Sequence, residues 1–126
     1  MGKVVHFEVP ADDMARAAKF YEEVFNWHTI AMPEMKYTIV HSGPTDDKNG
    51  MPKEHSFING GIMQRKDITG PVIVMDVPNV DETVKLAVEK GSKVIRPKVQ
   101  VGDMGYVAYV TDSEGNTIGV WENIKK

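Results

Sequence analysis

One histidine and one glutamate near the start of the chain have the types and spacing of an acid/base pair. His6 and Glu8 lie two positions apart in the segment Lys3 to Pro10, where polar and apolar residues alternate. This alternation predicts a strand with one apolar face, and it places both side chains on the opposite face. An imidazole beside a carboxylate can move protons. The alternative is a histidine that is hydrogen-bonded only to backbone or water.

A second carboxylate has a similar position in a later strand. The segment Val72 to Val77 alternates in the same way, and Asp76 falls on the face that Glu8 has in the first strand. Burial of an unpaired charge is costly. Glu8 and Asp76 therefore predict a cationic or amine ligand, or else ion pairs with Arg65, Arg96 or a lysine.

Aromatic, methionine and glycine residues fall on the strands around these carboxylates. Gly60, Gly61 and Gly119 remove side chains, either to make room for a ligand or because a bulge or strand crossing requires glycine. An aromatic and methionine lining suits flat or hydrophobic ligands. The candidates for such a lining are Tyr37, Met63, Tyr106, Tyr109 and Trp121. Trp27 follows the first predicted helix and is assigned to the core instead.

Two helices and their flanking strands position these residues. Asp12-Asp13 predicts the start of a first helix that ends at Asn26, and Asn79 to Glu82 predicts the start of a second helix that ends at Gly91. Further strands are predicted at Met35 to Val40, Ser56 to Gln64, Lys93 to Ile95, Tyr106 to Thr111 and Thr117 to Glu122. The polar segments Ser42 to Glu54 and Val101 to Gly105 are loops that could cover a site or simply connect strands.

The pattern occurs twice. Glu8-Val9-Pro10 and Asp76-Val77-Pro78 are 68 positions apart, and each is followed by a predicted helix. We therefore predict an α+β fold in a single domain, residues 1–126, built from two tandem βαβββ modules at about 1–66 and 67–126. Two such sheets side by side would form an open, cup-shaped mixed sheet with the helices outside, and the site would lie on the inner, non-helix face.

Composition excludes several classes of function. The 126 residues are 41% hydrophobic and 26% charged, which argues against disorder, and the net charge of −3 argues against a nucleic-acid partner. Because cysteine is absent, disulfide frameworks and thiolate zinc sites are excluded. No apolar run is long enough to span a bilayer, so we expect no membrane association. The composition and the lack of an apparent signal peptide predict a cytoplasmic protein.

The opening segment resembles a known superfamily. His6-Phe7-Glu8-Val9-Pro10-Ala11-Asp12-Asp13, continuing to Phe20-Tyr21-Glu22-Glu23-Val24-Phe25, is similar to the first module of the vicinal oxygen chelate superfamily. This superfamily includes glyoxalase I, bleomycin-resistance proteins and extradiol dioxygenases. Asp112-Ser113-Glu114-Gly115-Asn116-Thr117-Ile118 resembles the turn that precedes its last strand. The resemblance spans essentially the whole chain and also implies a homodimer.

In the metal-dependent members, the resemblance implies four metal ligands drawn from both modules. His6 matches the first. The second belongs to the strand Ser56 to Gln64, which contains no carboxylate or histidine, the third falls near Val72 and Val74, and the fourth falls on Gly119. Glu122 should face away from the Gly119 side. Since one imidazole cannot hold such an ion, we predict a metal-site-degenerate member with no metal cofactor. A site rebuilt from His6, Glu8 and His41 or His55 is the alternative.

The sequence supports three functional hypotheses. The first is a protein that binds a small, partly aromatic or amphipathic molecule. The second is a glyoxalase- or dioxygenase-type enzyme with a non-standard site, in which His6 and Glu8 act as acid and base, and the third is an auxiliary domain with a filled cup. The predicted ligand-binding residues are Tyr37, Gly61, Met63, Asp76, Tyr109, Gly119 and Trp121.

Overall fold

The computed structural model describes residues 2–124 and has an α+β fold with the predicted repeat. The first module contains β1 (Val4–Ala11), α1 (Met14–Phe25), β2 (His28–Met32), β3 (Tyr37–His41) and β4 (Asn59–Gln64). The second contains β5 (Val72–Asp76), α2 (Val80–Glu89), β6 (Val94–Val101), β7 (Gly105–Thr111) and β8 (Thr117–Asn123). Chain contacts divide into two compact units, one at His6–Pro71 and the other at 72–124 together with 2–5.

The first module orders its strands β2-β3-β4-β1. Strands β1 and β4 are parallel, whereas β2–β3 and β3–β4 are antiparallel. The helix-facing side of this sheet forms a core around Ala11, Val40 and Ile62. Side chains of α1 and the segments around it complete that core, namely Phe7, Met14, Ala17, Ala18, Tyr21 and Trp27.

The second module repeats the arrangement with the order β5-β8-β7-β6. Val80, Ala108 and Val120 form its helix-facing core, with Val77, Val84 and Tyr106 packed against them. Tyr106 was predicted to line the site, and this was wrong because its side chain belongs to the helix-facing core. The assignment of Trp27 to the core of the first module is confirmed.

Both helices begin and end as predicted. Asp13 accepts a hydrogen bond from the backbone N–H of Arg16, and Asn26 ends α1 in the left-handed conformation. Asn79 accepts one from the backbone N–H of Glu82, and Gly91 follows α2 with a φ of 102°. Across residues 2–124, neither helix has the length and apolar character needed to cross a membrane.

Strand boundaries differ from the prediction at three places. Strand β2 was not predicted. Strand β4 begins at Asn59 rather than at Ser56. Just before this start, the Ser42 hydroxyl donates to the Ile58 carbonyl and the Ser42 N–H donates to the Asn59 side chain. Strand β6 extends to Val101, beyond the predicted end at Ile95, although Pro97 cannot donate a hydrogen bond. It lies at the end of the module's strand order and its register with β7 shifts near Pro97, which are the conditions under which a strand tolerates proline.

The long loop between β3 and β4 has its own local structure. Thr45 and Pro52 form an isolated bridge, and the Asp46 carboxylate accepts hydrogen bonds from the backbone N–H groups of Lys48 and Asn49. These contacts make the loop a compact turn that is tied to β4 through Ser42.

Candidate functional site

The non-helix face of the first module brings together the two residues that the sequence marked for chemistry. His6 and Glu8 alternate with the core-facing Phe7 on β1, as predicted. In the parallel pairing with β4, His6 lies opposite Asn59 and Glu8 lies opposite Gly61. Because side chains at paired positions share a face, the two residues lie beside the non-helix face of β4.

The Nε2 atom of His6 lies near two oxygen atoms, of which the Tyr37 hydroxyl is within hydrogen-bond distance. This atom lies 2.7 Å from the Tyr37 hydroxyl and 3.8 Å from a carboxylate oxygen of Glu8. The Glu8 side chain is 7% exposed, whereas that of His6 is 35% exposed. Both oxygens approach the same ring nitrogen, so Tyr37 is its hydrogen-bond partner and Glu8 is a charged neighbour. A phenol, an imidazole and a carboxylate can each accept or donate protons.

The adjacent glycines of β4 have different neighbours on the two sides of the sheet. A Cβ atom on Gly60 would lie 2.7 Å from the ring of Phe7, on the helix-facing side. A Cβ atom on Gly61 would overlap the hydroxyl group of Tyr37, on the site side. The β1–β4 register is continuous through both glycines, so no bulge explains them. Each glycine makes room for an aromatic ring of the chain itself.

Met63 and Tyr37 extend this face along the same strands. They are paired in the antiparallel register of β3 and β4, and Met63 is 5% exposed. Asn59, which sequence analysis did not select, lies opposite His6 and binds Ser42 and Thr45 through its amide. The sequence feature that could have identified Asn59 is a polar residue directly before two glycines in a strand, and this feature is too common to indicate a site.

The second module carries the remaining predicted residues on its non-helix face. Val74 pairs with Gly119 and Asp76 pairs with Trp121 in the β5–β8 register, while Tyr109 pairs with Gly119 in the β7–β8 register. Trp121 thus shares a face with Gly119. Glu122 faces the helix side as predicted, because its carboxylate accepts a hydrogen bond of 2.8 Å from the Val80 backbone N–H.

The aromatic residues of this face have close contacts within the module. The guanidinium carbon of Arg96 lies 5.4 Å from the centre of the Tyr109 ring, a cation–π distance. A Cβ atom on Gly105 would overlap the indole of Trp121 and the backbone carbonyl of Glu122, so this glycine makes room for both. The indole N–H donates to the side-chain oxygen of Asn123 at 2.8 Å.

The suggested ion-pair partner Arg65 is engaged elsewhere. Its guanidinium binds the Asp12 carboxylate at 3.0 Å and the Thr69 carbonyl at 2.6 Å. The backbone N–H of the half-buried Asp76 donates to the Lys3 carbonyl at 2.8 Å. Arg65 therefore serves the connection between β4 and β5 rather than the candidate site.

The residues at the implied metal positions do not fit a divalent cation. The strand expected to supply the second ligand contains no carboxylate or histidine, Gly119 has no side chain, and Val74 is apolar and 2% exposed. In the part of the chain that the structure describes, no three histidine or carboxylate side chains converge on one point. His41, a candidate for a rebuilt site, instead lies against His28, with 5.7 Å between the ring centres. His6 is the one matching position with a donor group, and a phenol already binds it.

Comparison with known proteins agrees with this architecture. Residues 3–43 match the family model described as bleomycin resistance protein-like N-terminal. The chain is 26% identical over 115 residues to the "Putative glyoxylase CFP32" of Mycobacterium tuberculosis and of Mycobacterium bovis. This match covers 91% of the chain but 43% of those relatives, so the chain spans less than half of their length. A glyoxylase-like domain-containing protein of Didymella fabae is 24% identical, with 92% of this chain and 90% of that protein covered.

Solved structures show the same fold at low sequence identity. A variant of Streptomyces coelicolor methylmalonyl-CoA epimerase, bound to 2-nitronate-propionyl-CoA, superposes with a TM-score of 0.63. It is 14% identical, and the match covers 99% of this chain and 96% of that one. Two βαβββ modules, a bleomycin-resistance-type N-terminal segment and glyoxylase-named relatives together support the vicinal oxygen chelate superfamily as the family that this chain resembles.

Proposed function

We propose that this protein binds a small, partly aromatic or amphipathic molecule on the non-helix faces of its modules, without the metal of the vicinal oxygen chelate superfamily. The proposal depends mainly on the 2.7 Å hydrogen bond between His6 and Tyr37. His6 is the residue that matches a metal ligand of the superfamily, and its Nε2 atom is already bound to the Tyr37 hydroxyl. The strand Ser56 to Gln64, expected to supply the second ligand, has no carboxylate or histidine, and the fourth ligand position is Gly119. The remaining surface is apolar and aromatic, with a few polar groups that can orient a ligand.

The ligand-contact residues in this proposal are those selected from the sequence. His6, Glu8, Tyr37, Gly61 and Met63 would contact a ligand on the first module. Asp76, Tyr109, Gly119 and Trp121 would do so on the second. A cytoplasmic location is part of the proposal, since a chain without cysteine suits a reducing compartment.

A titration with a panel of small phenols, aromatic aldehydes and amphipathic amines tests the proposal. We expect saturable changes in the NMR signals of the Met63 methyl group and His6 ring, or in the fluorescence of Trp121, with unchanged binding after treatment with EDTA. Trp121→Phe, which leaves Trp27 as the other tryptophan, identifies the source of the fluorescence change. A panel that perturbs none of these signals, or binding that EDTA abolishes, contradicts the proposal.

Catalysis by proton transfer is the second candidate, and the arrangement of Glu8, His6 and Tyr37 favours it. A carboxylate that is 7% exposed lies 3.8 Å from an imidazole that also contacts a phenol. Such groups can take a proton from a carbon beside a carbonyl group and return one to it, which is the general chemistry of an epimerase such as the structural relative. Exchange of deuterium from D₂O into methylmalonyl-CoA, lost in His6→Ala, would favour this candidate over simple binding.

We also propose that two copies of the chain associate through α1. Phe20, Val24 and Phe25 are each more than half exposed, at 53%, 57% and 55%. Arg16 lies four residues before Phe20 and Glu23 lies three residues after it, so all three occupy one side of the helix. If a second copy of α1 packs antiparallel to the first, the Phe20 rings of the two copies face each other. Arg16 of each copy then lies opposite Glu23 of the other copy, with one such pair on each side of the Phe20 rings.

A further inference from the structure

The side chain of Tyr37 fills the space beside Gly61 in the first module. In the β3–β4 register, Tyr37 pairs with Met63 and Ile39 pairs with Gly61, so the tyrosine lies diagonally across from the glycine on the same face. A Cβ atom added to Gly61 would overlap both the hydroxyl oxygen and the adjacent ring carbon of Tyr37. A side chain at position 61 and the observed position of Tyr37 therefore exclude each other.

The hydroxyl group that fills this volume is the one that binds His6. The distance from Tyr37 Oη to His6 Nε2 is 2.7 Å, and the two rings are 15° from parallel with 6.5 Å between their centres. Position 61 lies opposite Glu8 and two residues from the position opposite His6. Tyr37 thus contributes an oxygen atom beside His6 from the place that a longer side chain on β4 would otherwise occupy.

We infer that Tyr37 fills the space that a side chain at position 61 of β4 would need, so that the site presents a hydrogen-bonded phenol–imidazole pair instead of a cation. This inference rests on the proposed function, because it concerns the same surface and specifies its ligand chemistry. A metal ion gains from a ligand that offers two neighbouring oxygens, since both can coordinate it. A phenol–imidazole pair exchanges hydrogen bonds with single polar groups. The expected ligand is an aromatic molecule for which one polar oxygen is sufficient.

A double-mutant cycle tests whether Tyr37 and Gly61 act as a unit. We expect Gly61→Ala to lower the urea midpoint strongly in the native background, and to have a much smaller effect in Tyr37→Ala, where the overlapping atoms are absent. Gly70→Ala is the matched control, because a Cβ atom there meets no atom within 4 Å. It should have the same effect in both backgrounds.

The cycle has clear alternative outcomes. Equal effects of Gly61→Ala in both backgrounds would overturn the inference. If Gly61→Ala alone fails to fold, a folded Tyr37→Ala/Gly61→Ala protein supports the inference, and failure of the double variant as well contradicts it.

Binding of phenol and catechol tests the ligand chemistry. We expect the two compounds to bind the native protein with affinities within roughly tenfold, a difference of about 1.4 kcal/mol, and we expect Tyr37→Phe to weaken both. Zn²⁺ alone should leave the ¹⁵N signals of the His6 ring unchanged. A stoichiometric shift of those signals by Zn²⁺, or catechol binding that exceeds phenol binding by far more than tenfold and requires Zn²⁺, would overturn the inference.

The two sets of measurements separate this inference from the proposed function. If the cycle shows coupling and Zn²⁺ leaves His6 unchanged while no compound of the panel binds, the proposed function fails and the role assigned to Tyr37 stands. If compounds bind but the cycle shows no coupling, the proposed function stands and the role assigned to Tyr37 is wrong.

Discussion

Two histidines face each other in the β2–β3 hairpin of the first module. His28 and His41 are paired across β2 and β3, with 5.7 Å between their ring centres. Burial lowers the pKa of His41 below its usual value of 6.5, and the neighbouring His28 lowers it further, whereas Asp47 acts in the opposite direction. The folded protein therefore resists protonation of His41 more than the unfolded chain does.

This difference predicts a loss of stability in mild acid. Because the pKa of His41 is lower in the folded state, the unfolded chain binds more protons between that pKa and 6.5. The His41 contribution to the free energy of unfolding is complete above pH 6.5 and is lost as the pH falls from 6.5 towards the folded-state pKa. Between pH 7.5 and pH 5, the free energy of unfolding measured with urea should decrease less in His41→Asn than in the native protein.

The exposed His55 supplies the control for this prediction. His55→Asn should retain the native dependence of stability on pH, since the His55 side chain is exposed to solvent. If His41→Asn retains the full native dependence, the assignment to His41 is wrong.

At the candidate site, strand alternation was sufficient to predict the face of most residues, whereas Tyr106 was assigned to the wrong face. Alternation separated His6 and Glu8 from Phe7, and Trp121 from Glu122, because a strand has a side-chain period of two. It could not predict that Tyr37 fills the space left by Gly61. That contact depends on the register between β3 and β4, and the intervening loop of the sequence does not specify this register.

At the scale of the elements, residues of β8 and Asn79 together accept hydrogen bonds from the first backbone N–H groups of α2. The Asn79 side chain accepts a hydrogen bond of 2.9 Å from the Glu82 backbone N–H, and Glu122 accepts the one from Val80. These N–H groups have no partner within the helix itself. The sequence predicted the Asn79 cap from its local pattern, but the contribution of Glu122 comes from a residue more than forty positions away.

Removal of the local cap should destabilise the protein by a predictable amount. We expect Asn79→Ala to lower the free energy of unfolding by about 1 kcal/mol, the usual effect of removing an N-cap acceptor. Asn79→Asp retains an acceptor oxygen and adds a negative charge at the positive end of the helix, so it should keep most of the native stability. Urea unfolding followed by far-UV circular dichroism measures both, and equal stabilities of the Ala and Asp variants would contradict the role of the side-chain oxygen.

The other element boundaries show where local sequence patterns are insufficient. Strand β2 has only five residues, three of which are exposed, so its apolar pattern is weak. Strand β6 contains Pro97, which normally indicates the end of a strand, but an edge position tolerates it. In both strands the decisive factor is the pairing partner, β3 for β2 and β7 for β6, and pairing is a property of the folded module.

At the scale of the whole molecule, the outer side of α1 is the feature that bears on assembly. The exposed Phe20 lies between a positive side chain at Arg16 and a negative one at Glu23, and the exposed Val24 directly follows Glu23. This order of charges is self-complementary under a twofold axis that passes near Phe20, because antiparallel alignment brings opposite charges together. A partner of a different kind would not require the two charges to be placed on opposite sides of Phe20.

Charge reversal on α1 tests this association by its symmetry. Arg16→Glu and Glu23→Arg should each weaken the dimer, because each places like charges opposite each other across the twofold axis. The double variant Arg16→Glu/Glu23→Arg restores opposite charges and should recover the native dimer, whereas Phe20→Asp should give monomers. Sedimentation equilibrium over a range of protein concentrations measures all four variants beside the native chain. A native protein that is monomeric throughout that range, or a double variant that associates more weakly than both single variants, would contradict the α1 interface, since only the pairing of Arg16 with the partner subunit's Glu23 makes the two reversals compensate.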